Sequence, residues 1–261
     1  MQNTSELKSN VTCAIYAQVE ETFALCTDHV ANLIKYAATV FNPNARQESS
    51  LLDIGAGPGF VAGALTKIFG SVTALDPNKD YIPSYQKLAK NSTFQYVIGN
   101  FQDVEFDRKY SNILCSHMLY HVPQIQWGPL LLKMQQLLDI DGSGLILLTA
   151  PEGRFHTLCN LINPNYSHSG VLCTTLKTNK IDYSVEFEKS TYREPDRKKF
   201  SDLVHIFAID DCYLPEEYNA LSKGKKLDIE KHIEDFIDSC FNHEQEAYEL
   251  TQHSARVLIG Y

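Results

Sequence analysis

Three glycines close the stretch LLDIGAGPGF, residues 51–60, in which an apolar run carries a single acid, Asp53. A strand that runs into a glycine-rich turn and then a helix presents backbone N–H groups to its ligand, which favours the anionic parts of a nucleotide. Dinucleotide enzymes space these glycines as G-x-G-x-x-G, whereas here they alternate with single residues from Gly55 to Gly59. The spacing fits a dinucleotide enzyme poorly. A nicotinamide oxidoreductase and a structural turn without a ligand are the alternatives.

Polar side chains also follow two other predicted strands. Asp76 ends the run SVTALD, where a carboxylate can accept hydrogen bonds from both hydroxyls of a ribose. The segment CSHMLYHV, residues 115–122, places His117, Tyr120 and His121 at the carboxyl edge of the sheet, where open α/β sheets hold their ligands. A histidine there can act as a general base, as a hydrogen-bond donor that orients the substrate, or as a turn residue.

The elements that position these residues are short apolar runs, separated by stretches long enough for crossover helices. The runs are SLLDI (50–54), SVTAL (71–75), FQYVI (94–98), NILC (112–115) and GLILLT (144–149), followed later by IDYSVEFEKS (181–190) and ARVLIGY (255–261). This alternation is typical of a parallel sheet built from βαβ units. We therefore predict an α/β fold.

Two further regions flank or interrupt this pattern. Helical spacing without Gly or Pro across residues 11–41 predicts one or two helices, and residues 1–45 are predicted to form an N-terminal helical lid segment. Residues 46–261 are predicted to form the main domain, with a cap insert at about 191–250. The insert contains an acidic helical stretch at roughly 215–247.

Composition limits the classes of function. The chain has 261 residues and a formal net charge of −9, which works against nucleic-acid binding because that draws on Lys and Arg contacts to phosphates. Its seven cysteines contain no C-x-x-C pair, which argues against a zinc site and a disulfide framework. No apolar run is long enough to span a bilayer, and the N-terminus lacks the features of a signal peptide. We expect a cytoplasmic monomer or homodimer that takes a small molecule, with cations as candidates, and uses no metal, nucleic acid or membrane.

The motifs D-I-G-A-G-P-G (53–59) and A-L-D-P (74–77) resemble the first two motifs of class I S-adenosylmethionine-dependent methyltransferases. The resemblance implies S-adenosylmethionine as the cofactor and a Rossmann-like methyltransferase fold, with a mostly parallel seven-stranded sheet, helices on both faces and a helical lid. In that family the glycine turn holds the methionine part of the cofactor and the acid after the second strand binds the ribose. The implied cofactor-binding residues are Asp53, Gly55, Gly57, Gly59, Asp76, Asn100, Phe101 and Ser116.

Asn100 departs from the family pattern. V-I-G-N-F-Q-D (97–103) stands where the family often has G-D-A-x-D, whose first acid contacts the adenine amino group. An amide can still accept a hydrogen bond from that amine but adds no charge, and Phe101 would pack on the adenine ring. The alternative for this pair is a turn asparagine and a core aromatic.

A narrower resemblance is to histamine N-methyltransferase and its relatives. It rests on a similar M-L-Y-aromatic-V segment after the fourth strand, and on Tyr16 followed by the triplet T-D-H at 27–29. The resemblance implies that Asp28 binds the cationic part of the substrate and that Tyr16, Phe23 and Tyr120 wall an amine pocket.

Two residues depart from this narrower family. His117 stands where the family has a substrate-binding Gln, and Asp28 is shorter than the family's Glu. A histidine that faces an imidazole changes the pattern of hydrogen bonds, which counts against histamine itself. Each residue also has an ordinary alternative, a solvated helix acid for Asp28 and a core stripe for Tyr16 and Phe23.

The expected function is therefore methyl transfer from S-adenosylmethionine to a small molecule, first of all at an amine nitrogen. His117 and Tyr120 are the catalytic candidates. The predicted substrate-binding residues are Tyr16, Phe23, Asp28, His117, Tyr120 and His121. The alternatives are an O-, S- or protein methyltransferase with the same cofactor, and a cofactor-binding protein without turnover.

Overall fold

The structure, a computed structural model, describes residue 19, residues 26–41 and residues 48–260. An eight-stranded sheet runs through them. Its strands are β1 (Ser50–Ile54), β2 (Ser71–Asp76), β3 (Phe94–Ile98), β4 (Tyr110–Ser116), β5 (Leu138–Thr149), β6 (Tyr183–Glu194), β7 (Phe241–Asn242) and β8 (Ala247–Gly260). Their order is β3-β2-β1-β4-β5-β8-β6, with β7 paired to β8. Strands β1 to β5 pair in parallel, whereas β8 is antiparallel to β5, β6 and β7.

Helices connect and cover these strands. In the described residues they are α1 (His29–Val40), α2 (Phe60–Leu65), α3 (Ile82–Leu88), α4 (Trp127–Leu137), α5 (Gly153–Ile162), α6 (Ser169–Thr178), α7 (Arg197–Cys212), α8 (Pro215–Ala220) and α9 (Lys223–Asp238). Short 3₁₀ turns occupy Lys79–Tyr81, Leu119–His121 and Gln124–Gln126. No helix in the described part of the chain has both the length and the apolarity needed to cross a membrane.

The predicted Rossmann-like α/β fold with a mostly parallel sheet is confirmed. The predicted number of seven strands is one too low, because the two-residue β7 is too short to leave a periodic signal. The long strands also extend beyond the apolar runs, since β5 begins at Leu138 and β8 at Ala247. Their added ends are partly exposed and carry polar residues.

Three buried clusters hold the layers together. One packs α1 and α2 on the sheet and includes Leu33, Ala37, Phe41, Leu51 and Ala62. A second lies on the other face, around Trp127 and Leu131. The third joins α5, α7 and α9 and includes Phe155, Leu158, Phe200, Leu203, Ile229 and Ile233. Helices α7 to α9 fall within the predicted insert of about 191–250, while the division of the chain into a lid segment and a main domain stays a prediction.

Trp127 ties α4 to the segment that carries Tyr120. Its side chain is 0% exposed, and its indole N–H donates a hydrogen bond to Val122 O at 3.0 Å. Replacement by Ala removes a large buried ring and this bond, so we expect Trp127→Ala to lower the free energy of unfolding by about 3–5 kcal/mol.

Urea denaturation followed by far-UV circular dichroism measures this loss, because Trp127 is the only tryptophan and its fluorescence disappears with it. The control is Ile125→Ala, at a position that is 87% exposed, where we expect a change within about 0.5 kcal/mol. Equal losses in the two variants would contradict the buried position of the indole.

Candidate active site

The glycine turn directly follows β1 and requires its glycines. The φ angles of Gly55, Gly57 and Gly59 are +72°, +54° and +86°, in the left-handed region that favours glycine. At Gly55 the packing requires glycine as well, since an added Cβ would lie 2.4 Å from Met118 Cγ. The Tyr85 hydroxyl donates to Gly57 O at 2.6 Å, so the turn is held in shape from α3.

Asp76, at the end of β2, is fastened to this turn. Its Oδ2 accepts from the Gly57 N–H at 3.0 Å and its Oδ1 accepts from the Asn78 N–H at 2.8 Å. Burial raises the pKa of the Asp76 carboxyl, and the two backbone hydrogen bonds oppose that rise. Each carboxylate oxygen can accept a further bond, so the side chain is oriented and still able to bind two hydroxyls.

Asp53 lies near the end of β1, beneath the turn. Its side chain is almost fully buried, at 2% exposure, and it has no hydrogen bond to any described residue. Burial, with a smaller contribution from the charge of Asp76, raises the pKa of the Asp53 carboxyl to about 7. A buried carboxyl without a donor is a position where a cation would be stabilised.

Asn100 and Phe101 lie in the loop after β3. The Asn100 Nδ2 donates to Asp103 Oδ2 at 3.0 Å, which leaves the side-chain oxygen as the acceptor. Phe101 is 3% exposed and packs in the core that surrounds Trp127. The two readings of Phe101 from sequence are therefore compatible, since its ring is part of the core and also lines the cavity described below.

Lys133 of α4 fixes the same loop. Its ammonium donates to the backbone carbonyls of Phe101, Gln102 and Val104 at 2.8, 3.1 and 2.7 Å, and lies 5.1 Å from the centroid of the Phe101 ring. Three carbonyls bound by one cation hold the loop in a single conformation. Sequence patterns gave no signal for this role, because the lysine comes from a helix distant in the chain.

A cavity of about 1150 Å³ joins these parts. It extends from the glycine turn along the carboxyl edge of the sheet to α1 and α7. Its lining includes Asp53, Gly55, Gly57, Asp76, Asn100, Phe101, Ser116, His117, Tyr120 and His121 among the residues predicted from sequence. The structure thus brings together nearly all of the predicted cofactor residues and three of the predicted substrate residues. Gly59 shapes the turn without lining the cavity.

His117 and Tyr120 form a hydrogen-bonded pair in this cavity. His117 has a φ of +53°, which is uncommon for a residue with a side chain and occurs often at functional sites. Its Nδ1 lies 3.3 Å from the Tyr120 hydroxyl, and the two rings are stacked. The Tyr120 hydroxyl donates to Thr149 Oγ1 at 2.9 Å and accepts from the Thr149 N–H at 2.6 Å.

Two of the histidines that line the cavity, His29 and His117, are neutral. His29 of α1 lies edge-on to His117, with ring centroids 5.1 Å apart. Burial, with a contribution from His29, lowers the pKa of His117 to about 3. Burial, with a contribution from Arg256, lowers the pKa of His29 to about 4. His29 was not predicted from the sequence.

The remaining substrate predictions fall elsewhere. The Oδ1 atom of Asp28 accepts from the Thr191 N–H at 2.9 Å, and Asp28 is not among the described residues that line the cavity. Tyr16 and Phe23 lie outside the described residues.

Two acids that the sequence did not single out do line the cavity. Asp210 and Asp211 extend from α7, and Thr149 Oγ1 donates to Asp211 Oδ2 at 3.2 Å. Phe207 of the same helix and Gln252 of β8 complete this wall. Adjacent acids at 210 and 211 are visible in the sequence, but only the packing of α7 shows that both line the cavity.

Comparison with known proteins agrees with this geometry. Residues 51–142 match the family model described as a methyltransferase domain. An uncharacterized methyltransferase of Staphylococcus carnosus (strain TM300) is 31% identical over 116 residues, which are 44% of this chain and 55% of the relative. The chain thus spans about half the length of the curated relative that it matches.

Solved structures share the fold at low identity. The YcgJ protein of Bacillus subtilis has a TM-score of 0.57 at 16% identity in sequence, with 88% of this chain and 97% of that chain covered. Geranyl diphosphate C-methyltransferase of Streptomyces coelicolor A3(2) has a TM-score of 0.53 at 12% identity, with 88% and 77% covered.

The match to a methyltransferase domain agrees with the predicted class I S-adenosylmethionine-dependent methyltransferase, and the solved structures share the predicted fold. Assignment to the histamine-type branch depends on which molecule accepts the methyl group.

The described residues fit S-adenosylmethionine, the cofactor of this class. Asp76 can bind the two ribose hydroxyls beside a turn whose close approach needs Gly55. Asp53 offers a buried, unpartnered carboxyl, which suits a ligand that carries positive charge. Asn100 and Phe101 offer an acceptor and a ring face for a base. The cofactor, when bound, supplies a methyl group on a sulfonium.

Cofactor affinity is expected to depend on the ionisation of Asp53. The pKa of about 7 means that most Asp53 carboxyls are protonated at pH 6 in the free protein. A cationic ligand favours the carboxylate, so affinity should fall as pH decreases below about 7, by up to tenfold per unit, and level off above it. Calorimetric titration with S-adenosylmethionine between about pH 5.5 and 7.5 measures this trend.

Asp53→Asn should bind more weakly near neutral pH and lose the pH dependence. Asp107→Asn is the control, because Asp107 is exposed and lies outside the cavity lining. A wild-type affinity that stays flat across this range would show that the ligand does not interact with the Asp53 charge.

Proposed function

We propose that this chain transfers a methyl group from S-adenosylmethionine to an amine nitrogen of a small molecule that carries a further positive charge. The observation that carries the proposal is the composition of one cavity, in which the glycine turn faces a neutral histidine and two carboxylates. His117 lies at the sheet edge, and Asp210 and Asp211 line the cavity from α7. Carboxylates in a partly buried cavity favour a cationic ligand over an anionic one.

The charge anchor is assigned to the acids of α7. Asp28 was the candidate from sequence, but its Oδ1 is bonded to a backbone N–H of β6 and Asp28 is absent from the described cavity lining. Asp210 lines the cavity from α7. We therefore propose that Asp210, with Asp211 beside it, stabilises the cationic part of the acceptor, while His121 lies at the cofactor side near Asp76.

His117 is proposed to orient the nucleophile. An amine attacks only in its neutral form, and a desolvated cavity helps by lowering the pKa of the amine. Because burial keeps the His117 imidazole neutral, with a pKa of about 3, its Nε2 can accept a hydrogen bond from the acceptor N–H and direct the nitrogen lone pair. Methyl transfer needs mainly this positioning, which supplies roughly 7–11 kcal/mol in well-oriented model reactions. The proton leaves with the product and passes to water.

The neutral histidine also separates the alternatives. An alcohol acceptor has to lose its proton to a base, and an imidazole with a pKa near 3 is a poor one. Oxygen is therefore the second candidate, behind nitrogen. Sulfur and protein acceptors are further outcomes of the same assay. Release of S-adenosylhomocysteine excludes a cofactor-binding protein without turnover.

Membership of the histamine N-methyltransferase branch is the finer form of this proposal. The short motifs around Tyr120 support an amine acceptor. His117 in place of the family's Gln gives an imidazole acceptor a different partner, so histamine is one member of the test panel. The fold leaves the atom open, because a solved structure of this fold is named as a C-methyltransferase.

The first test measures S-adenosylhomocysteine release with a panel of small amines, including histamine, other imidazoles and diamines. We expect turnover on an amine with a second cationic group. Asp210→Asn should then raise KM about tenfold, or about 1.4 kcal/mol, with little change in kcat, because the anchor binds ground state and transition state alike. The control is Asp202→Asn on the same helix, where the carboxylate pairs with Lys198 at 2.6 Å. If no amine of the panel gives S-adenosylhomocysteine while the cofactor still binds, the methyl acceptor is not an amine.

The pH profile gives a second test. Log kcat/KM should rise with pH up to the pKa of the acceptor amine, since only the neutral amine reacts, and the rise should move when an amine of different pKa is used. His117 should add no step near pH 6.5, because its pKa of about 3 lies below the working range. A step near pH 6.5 that is the same for two different amines, persists with S-adenosylmethionine saturating and disappears in His117→Gln would assign the titration to this imidazole and contradict the neutral His117.

A further inference from the structure

A chain of hydrogen bonds leads from His117 to a carboxylate on α7 that also lines the cavity. The His117 Nδ1 faces the Tyr120 hydroxyl at 3.3 Å, the Tyr120 hydroxyl donates to Thr149 Oγ1 at 2.9 Å, and Thr149 Oγ1 donates to Asp211 Oδ2 at 3.2 Å. Three separate elements thereby meet in one network: the turn after β4, the last residue of β5, and α7 of the insert. Neither Thr149 nor Asp211 was predicted as a site residue.

The direction of each bond follows from the carboxylate. An ionised carboxylate only accepts, so the Thr149 hydroxyl must donate its single proton to Asp211. Thr149 Oγ1 is then an acceptor for the Tyr120 hydroxyl, which donates its only proton to it. The Tyr120 oxygen also accepts from the backbone N–H of Thr149 at 2.6 Å, so it meets the imidazole as an acceptor as well.

This polarity determines which ring nitrogen of His117 carries the proton. Facing an acceptor, Nδ1 must be the N–H, and Nε2 is left with its lone pair. Within the described residues no side chain is hydrogen-bonded to Nε2, and His117 lines the cavity. Nε2 is thus the nitrogen that can accept from a ligand.

We propose that Thr149 and Asp211 are positioning residues that hold His117 in the Nδ1–H tautomer and so present Nε2 as an acceptor to the methyl acceptor's N–H. This inference deepens the proposed function and rests on it for the identity of the ligand. The tautomer itself is a property of the chain and does not depend on any substrate.

Two substitutions are expected to reverse the direction of the hydrogen bond between Tyr120 and His117 without removing the histidine. Thr149→Val keeps the shape and the backbone N–H but removes the hydroxyl, so the Tyr120 hydroxyl must donate to His117 Nδ1 instead. Asp211→Asn keeps the shape of the carboxylate but can donate through its amide nitrogen to Thr149 Oγ1. The Thr149 hydroxyl is then free to donate to Tyr120, with the same reversal at His117. In both variants His117 should become the Nε2–H tautomer.

Nitrogen NMR of protein with isotope-labelled histidines identifies the tautomer of His117 at neutral pH and does not require turnover. The His117 signals are identified by their loss in His117→Gln. We expect Nδ1–H in the wild type and in Thr174→Val, the control, whose exposed hydroxyl bonds only within α6 to Gly170 O. We expect Nε2–H in Thr149→Val and in Asp211→Asn. A wild type in the Nε2–H form, or variants that keep Nδ1–H, would overturn the proposal.

Kinetics then separates this inference from the proposed function. On an amine acceptor, Thr149→Val should lower kcat about tenfold or more, the loss of one hydrogen bond to the reacting nitrogen, with KM changed much less. A tautomer switch without any turnover in the wild type would sustain the positioning role and refute the methyl acceptor. Turnover with no tautomer switch would sustain the acceptor and refute the positioning role.

Discussion

The candidate active site depends on the parallel register of the central strands. Asp53 pairs with Ala74 of β2 on one side and with Leu114 of β4 on the other, so three strands end at one edge within a few residues of each other. Side chains far apart in the chain meet there because each follows the end of its own strand. The hydrogen bond from the Gly57 N–H to the Asp76 carboxylate joins the first two ends, and the bond from the His117 N–H to Leu147 O joins the next two.

Local signals predicted this edge well. The glycines must adopt left-handed φ angles and one of them must avoid Met118, and both requirements leave a direct trace in the sequence. Asp76 was predicted for a similar reason, since it ends an apolar run. The part of the cavity wall that α1 contributes was harder to predict. His29 lines the cavity while its neighbour Asp28 does not, because successive residues near the start of a helix point about 100° apart. Motif matching at loose spacing cannot resolve one residue.

The acids of α7 show a different limit. Asp210 and Asp211 belong to a helix with a weak amphipathic pattern, and its orientation is set by packing against α5 and α9. Helical periodicity therefore indicated that acids were present in the insert but not that two of them face the sheet edge. Lys133 is a similar case, since its three carbonyl partners lie in a loop that approaches α4 only in the folded chain.

Burial acts in opposite directions on the charges of this cavity. It lowers the pKa of His117 and His29 and raises that of Asp53, so these groups are poorly suited to carry charge on their own. Asp76 is the group that gains backbone donors, and these offset part of the cost of its burial. The buried imidazoles are therefore neutral hydrogen-bond acceptors, and the buried carboxylates are stabilised when a positively charged ligand binds.

The residues that line the cavity lie partly inside and partly outside the segment that matches the methyltransferase domain. The methyltransferase domain match ends at residue 142, whereas the cavity residues of α1, α7 and β8 lie outside it. A match to the domain family can therefore indicate the cofactor and still leave the acceptor open. The Tyr120–Thr149–Asp211 network crosses this boundary, because only Tyr120 lies within the matched segment. Through it, residues outside the matched segment are hydrogen-bonded to a residue inside it, so the position of α7 is linked to the hydrogen bonding of His117 at the sheet edge.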